Sequence, residues 1–373
     1  MRTLGVEEEF LLVAPEGAPQ AVAGAVLRFA ALDPPDETAR ADDEPGGALE
    51  KEFKQEQVEI STRPREQLTD LLDEVRAGRE VADAYARRAG ARIAALGTAP
   101  QAVESTVLAD RRALEIRARF GQTAREQLTC GCHVHVEVAD DDEGVVVLDH
   151  LRRWTPVLLA LSANSPSWQG RSTGYASYRS QVWGRWPTAG PTAPFGDAAG
   201  YRRVIDDLLR SGTILDDGMV YFDARLSAHY PTVEVRVADV CLDAADAVLQ
   251  AGLVRALAET AVREGRRLAD HPRTELLRAA TWRAARSGLS GELVSPTDGL
   301  PRPAADVVGE LVEHVRDALV DNGDLEFVER QLGHVLRRGN GSVEQLAWRA
   351  EGADDDEVVR RAVDRTVPAG ARA

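Results

Sequence analysis

Residues 5–10 (GVEEEF) set three consecutive carboxylates inside an otherwise apolar segment. Read as a strand, the segment alternates its side chains, so Glu7 and Glu9 share one face and Glu8 takes the other. Two carboxylates ~7 Å apart on one face repel each other unless a cation lies between them. A solvated face would also explain such a pair, but Val6, Phe10, Leu11, Leu12 and Val13 make this strand too apolar to be simply exposed. Residues 130–138 (CGCHVHVEV) alternate in the same way, with His133, His135 and Glu137 on one face. The valines and the cysteines fall on the opposite face, so Cys-x-Cys-His does not converge as a zinc site. Residues 232–237 (TVEVRV) set Glu234 and Arg236 against valines, where a cross-strand ion pair is the plainer reading. Residues 55–60 put Gln55, Gln57 and Glu59 in phase against Val58 and Ile60. Together the four segments describe a sheet with one charged face. Oxygen-rich ligation with one imidazole suits Mg²⁺ or Mn²⁺ rather than zinc.

These strands need elements to hold them. Residues 3–13 predict a strand, residues 14–48 mostly loop, and 49–62 a segment ending in strand. Apolar residues at helical spacing predict a long amphipathic helix from Leu68 to Leu96, stopped by Gly97. Asp140–Asp142 predict the start of a helix running to about Leu161, kinked at Pro156. The 164–200 stretch is thick with Ser, Gly, Trp, Pro and Tyr. A loop of that length in a compact domain is functional or disordered, and its aromatic content predicts order. Paired strands are expected at 219–226 and 231–240, with a turn at His229–Pro231. Helices follow at about 243–267, 273–287, 304–321, 324–337, 342–350 and 354–364. Strands in the first two thirds and helices in the last third make an α+β pattern. The expectation is one catalytic domain over 1–373, with a helical C-terminal region from about 243.

The 373 residues carry a net charge of −16, with 44% hydrophobic and 28% charged residues. That balance fits a globular chain and argues against partners that need basic patches, so neither nucleic acid nor a membrane is expected. Lys51 and Lys54 are the only lysines, and no P-loop motif is present. A nucleotide's phosphates would therefore have to be managed by metals and arginines. Three cysteines, no signal-like start and no apolar run near ~20 residues predict a cytoplasmic protein. A homodimer is a possible assembly that nothing in the sequence specifies.

The motifs, in their order, resemble the carboxylate–amine ligases called glutamate–cysteine ligase type 2, of the glutamine synthetase superfamily. Supporting segments are 5–10, 52–62 (EFKQEQVEIST), 130–138, 161–183, 187–197, 232–241 (TVEVRVADVC), 295–299 and 339–345 (GNGSVEQ). The resemblance implies a curved, mostly antiparallel sheet with ATP, glutamate and two or more Mg²⁺ or Mn²⁺ ions on its concave face. It makes Glu7, His133 and Glu234 ligands of one metal, and Glu9, Glu59 and Glu52 ligands of its neighbour. Glu52 lies seven residues before Glu59, so only a bulge or turn between them lets both face the metal. Arg236 would face the transferring phosphoryl group or the glutamate carboxylate, Arg225 would be a further phosphate contact, Arg171, Tyr178 and Arg179 would clamp glutamate, and His135 would touch substrate. Two departures from the family pattern are Ala99, where a histidine commonly precedes the proline, and Val343-Glu344, where basic residues are usual.

The implied reaction converts the glutamate γ-carboxylate to an acyl phosphate, which an amine such as cysteine then attacks. Ligation to a different amine, phosphoryl transfer without amide formation, and a non-catalytic binding role are the competing readings.

Overall fold

The computed structural model describes residues 1–32, 46–265 and 272–368. Residues 33–45 of the stretch expected as loop at 14–48 lie outside these, as does the end of the 243–267 helix. Within them a helix occupies Ala23–Leu32.

Seven antiparallel strands form the central sheet: β1 (Leu4–Val13), β2 (Leu49–Lys51), β3 (Gln57–Ser61), β4 (Arg92–Ala94), β5 (Gly131–Glu137), β8 (Ala224–Leu226) and β9 (Thr232–Asp239). The intervening β6 (Ser167–Trp168) and β7 (Arg171–Ser172) make a small separate hairpin. The order is β2-β3-β1-β5-β9-β8, and β4 pairs with the end of β1. Register follows the alternation read from sequence. Glu9 lies opposite Glu59, Glu7 opposite His133, His135 opposite Glu234, and Glu234 opposite Arg225. A one-residue slip would bury every charged side chain and expose every valine, which is why such strands hold their register.

The valine face carries the core. Val134, Val136, Val233, Val235 and Cys132 pack with the helices Leu68–Arg88, Asp141–Leu151, Thr155–Ser162 and Ala244–Glu264. Glu8 points into this layer and meets Arg79 of the helix Leu68–Arg88, both only 1–2% exposed. Arg79 Nε lies 2.8 Å from one Glu8 oxygen and Nη2 2.6 Å from the other, while the guanidinium also donates to the carbonyls of Cys241 and Leu242. Strand β1 is thus bolted from behind by the carboxylate between its two site-facing glutamates.

Three expectations need correction. The first long helix ends at Arg88, because Gly90 takes φ 74° and residues 92–94 pair with β1 as β4. The expected single kinked helix from Asp141 is two, since Pro156 starts a second one at Thr155 rather than bending the first. The 304–321 helix is likewise split, into Ala304–His314 and Arg316–Asp321. The 164–200 stretch is ordered and contains the β6–β7 hairpin and the short helix Arg179–Trp183.

Candidate metal and substrate site

The sheet's charged face gathers two triads. Glu7, His133 and Glu234 form one, and Glu9, Glu52 and Glu59 the other. Within each, the potential ligand atoms lie within 4.8 Å of one another. Five of the six come from β1, β3, β5 and β9. Glu52 follows β2, and the turn at residues 52–56 before β3 brings it beside Glu59, which a continuous strand would have prevented. His133 stands between the triads, its Nδ1 3.2 Å from Glu7 and 3.8 Å from Glu234, and its Nε2 3.7 Å from Glu9. The ladder between β5 and β9 shifts register between Cys132 and Val134, at this histidine.

The electrostatics differ between the triads. In the first, burial alone would push Glu7 and Glu234 up. Hydrogen bonds from His133 and His135 to Glu7, and the guanidinium groups of Arg236 and Arg225 beside Glu234, outweigh it and hold both below the usual carboxylate range. Burial and the nearby Arg236 pull His133 down to about 4. In the second, burial and the charge of Glu52 push Glu9 up to about 8, and Glu59 is raised well above its ordinary value by burial and Glu52. Arg179 and Arg236 offset part of the charge at Glu9, but three carboxylates facing one another still call for shared protons or a bound metal. The buried Nε2 of His133 has no hydrogen-bond partner. Hard oxygen donors, mutual carboxylate repulsion and an orphaned imidazole nitrogen together fit divalent Mg²⁺ or Mn²⁺.

Arg225 and Arg236 both grip Glu234. Arg225 reaches one oxygen at 2.7 Å and the other at 3.2 Å, and Arg236 also donates to the latter oxygen. His135 lies between Glu7 (Nε2 to Oε1, 3.0 Å) and Thr232 (Nδ1 to Oγ1, 2.9 Å). Arg179 is buried beneath the site, donating to the carbonyls of Arg236 and Val237. It fits there because residue 131 is glycine, where a Cβ would fall 2.2 Å from the Arg179 Nη2 and 3.0 Å from His133 Nε2. The Gly131 amide in turn donates to Glu9. Arg171 is exposed on the β6–β7 hairpin, and Tyr178 packs its ring against Trp168 and Tyr175. The structure brings neither to the cavities described next. Glu137 sits at the rim, accepting from Thr3.

Two cavities flank the triads, and Glu7 lines both. The larger, of ≈ 340 Å³, holds Glu9, Glu52, Glu59, His133, Arg225 and Arg236, with a wall of Phe53, Trp183, Trp186 and Tyr221. The smaller, of ≈ 210 Å³, is lined by Leu4, Val6, Thr62, Pro64, His135, Tyr230 and Thr232 among others. The aromatic wall was not legible in the sequence, because its four residues come from segments scattered from 53 to 221. The clustering of aromatics in 164–200 was the one available signal.

The late GNGSVEQ segment is architectural. Asn340 caps the helix Gly341–Ala350 and donates to the carbonyl of Ala160, while Gln345 bonds Asn164. Glu344, one of the two departures, is taken up by Arg338 and Arg365. Ala99, the other, is buried in the second core cluster with Leu128 and Cys130.

The family model for glutamate–cysteine ligase family 2 matches residues 3–365. Among curated relatives, the protein provisionally named glutamate–cysteine ligase 2-1 in Paenarthrobacter aurescens is 48% identical over 94% of this chain and 91% of its own length. Its counterpart in Streptomyces coelicolor, provisionally named glutamate–cysteine ligase 2, is 49% identical over 98% of this chain and 99% of its own. Among solved structures, the glutamate–cysteine ligase of Francisella tularensis in complex with AMP superposes with a TM-score of 0.68 at 15% identity, covering all of this chain and 90% of that one. The bifunctional glutathione synthetase of Pasteurella multocida gives the same TM-score over 98% of this chain, which spans about half (52%) of that protein. These two likenesses carry the fold alone, and the fold agrees with the α+β sheet read from the sequence. By sequence, the chain belongs to the glutamate–cysteine ligase family 2.

Proposed function

We propose that the chain is an ATP- and divalent-cation-dependent ligase that phosphorylates the γ-carboxylate of glutamate and passes the acyl group to an amine. Cysteine is the acceptor that the relatives' names suggest. The observation that carries this reading is the pair of triads on one sheet face, sharing His133 as a neighbour and flanked by Arg225 and Arg236. An isolated acidic cluster would suit many roles. Two adjacent ones beside two guanidinium groups suit the transfer of a phosphoryl group, whose charge must be neutralised on several oxygens at once.

The smaller cavity, with its apolar lining and Tyr230, suits the base end of the nucleotide. The larger, charged cavity suits glutamate, and Glu7 lies where the two meet. Glu7, His133 and Glu234 would hold one cation and Glu9, Glu52 and Glu59 the other. Such ions, when bound, shield the phosphate oxygens and the incoming carboxylate from one another. A glutamate γ-oxygen attacks the terminal phosphorus of ATP, the bond to the bridging oxygen breaks, and ADP departs. Were a cation to engage Glu234, Arg225 and Arg236, which now hold that carboxylate, would be available to take the transferring phosphoryl oxygens. The amine then attacks the acyl carbon, and inorganic phosphate leaves with the bonding electrons. Arg179 acts from beneath, positioning Gly131 and the β9 backbone.

Incubation with ATP, glutamate, Mg²⁺ and an amine should yield ADP and a γ-glutamyl amide in equal amounts. ADP accompanied by a phosphorylated acceptor and no amide would replace ligation with simple phosphoryl transfer.

A further inference from the structure

Resting on the two-cation reading above, we infer that Asp239 is a positioning residue, the counter-ion that holds Arg179 beneath the second triad and so keeps Glu9 open for a divalent cation. Asp239 ends β9 and is fully buried. Its Oδ2 accepts from the Asn164 amide at 2.8 Å and from the Ser165 hydroxyl at 2.7 Å, and its Oδ1 accepts from the Ser177 hydroxyl at 2.8 Å. Ser165 Oγ accepts in turn from the Arg179 amide at 2.9 Å. Gly97 makes room for this cluster, since a Cβ there would fall 3.1 Å from Asp239 Oδ2 and from Ser165 Cβ. Burial pushes the Asp239 carboxyl up, while Arg179 and the three donors pull the other way. Gln345 of the late GNGSVEQ segment donates to Asn164, which ties that motif to the same network. Three donors thus fix the carboxylate whether or not Arg179 is there.

The guanidinium of Arg179 is held far less firmly. Its two Nη atoms reach the carbonyls of Val237 and Arg236 at 3.3 Å, and its Nε has no hydrogen-bond partner. Among the described residues its ion pair is with Asp239, at 3.9 Å. Glu9 is the competing carboxylate, and Gly131 touches both groups. The Gly131 amide donates to Glu9 at 2.5 Å, and Arg179 Nη2 occupies the space where a Cβ of residue 131 would stand. Asp223 also feels the Arg179 charge, but burial pushes its carboxyl up to about 7 and it makes no ion pair with the guanidinium. A buried guanidinium stripped of its counter-ion is costly, so it pairs with another carboxylate within reach. With residue 239 neutral, Arg179 would turn to Glu9 and take the oxygen that a cation needs.

The test titrates the full chain with Mn²⁺, following the free ion by electron paramagnetic resonance, and needs no turnover. Asp239→Asn keeps the shape and removes the charge, and should weaken the second of two ions by at least about tenfold. Adding Arg179→Met to it should restore that ion, because the competing cation is gone, whereas a merely structural loss would not be repaired by a second substitution. Arg179→Met alone should keep both ions, which tests the inference even where Asp239→Asn fails to fold. A metal-free crystal structure of Asp239→Asn should show Arg179 paired with Glu9. Two ions bound to Asp239→Asn with the parent's affinity, a loss that Arg179→Met does not repair, or a loss in Arg179→Met alone would overturn the inference and leave the two-cation reading standing. Fewer than two ions on the parent would overturn that reading instead. The metal-free structure would then decide the inference, which fails if Arg179 has not moved to Glu9.

Discussion

Glu9 is a residue whose chemistry depends strongly on its surroundings. Burial and Glu52 lift it to about 8, whereas an unfolded chain leaves it near the ordinary 4.5. A carboxyl raised on folding contributes stability that is present below the unfolded value and lost as pH rises through the folded one. The metal-free protein should therefore lose stability at this group between pH ~4.5 and ~8, and a bound dication should remove that loss. The gap in Tm between protein with saturating Mn²⁺ and protein with chelator is expected to widen from pH ~5 to ~8. A gap that stays flat across that range would remove the second triad as a metal site. At the first triad, Glu234→Gln takes away a proposed ligand and leaves Arg225 and Arg236 without their carboxylate. Turnover should drop by at least ~100-fold while the far-UV spectrum is retained. Activity within a few fold of the parent would detach Glu234 from the reaction.

Strand β1 is where element and residue meet. Its face toward the cavities carries Glu7 and Glu9, and its back carries Glu8 on Arg79. Removing one partner of a buried pair leaves an uncompensated charge, so Arg79→Met should cost about 3–5 kcal/mol in urea unfolding. The Mn²⁺ affinity of whatever remains folded should fall with it, since both glutamates depend on the strand's seat. A change below ~1 kcal/mol would make the pair incidental. The strand faces were legible from sequence because period-two alternation survives without knowledge of neighbours, whereas the candidate ligand set, Glu52 above all, came from the family resemblance. The Glu8–Arg79 partnership was not, since 71 residues separate the two and a helical arginine carries no mark of its target. The helix of Arg79 was itself read eight residues too long. The apolar positions of β4 continue the helical spacing by accident, and Gly90 was the punctuation passed over for Gly97. Arg171 and Tyr178 illustrate the opposite case, residues whose position relative to the cavities no sequence pattern marks. Their place in a polar, aromatic loop suggested substrate contact, but the hairpin β6–β7 and the ring packing that carry them away from the cavities are tertiary features.

Across the whole molecule the division of labour is simple. The helices bury one face of the sheet, Asn340 locks the C-terminal helices onto the helix Thr155–Ser162 while Gln345 holds Asn164 just after it, and the free face collects charge. Among the described residues no helix is long and apolar enough to cross a membrane. The central claim is that the charged face holds two neighbouring divalent cations, and electron paramagnetic resonance of bound Mn²⁺ tests it most directly. The account predicts two Mn²⁺ per chain with a dipole-coupled spectrum, collapsing to a single uncoupled ion in Glu59→Gln and in Glu234→Gln. One ion or none in the parent chain, or a coupled pair that survives both substitutions, would contradict it.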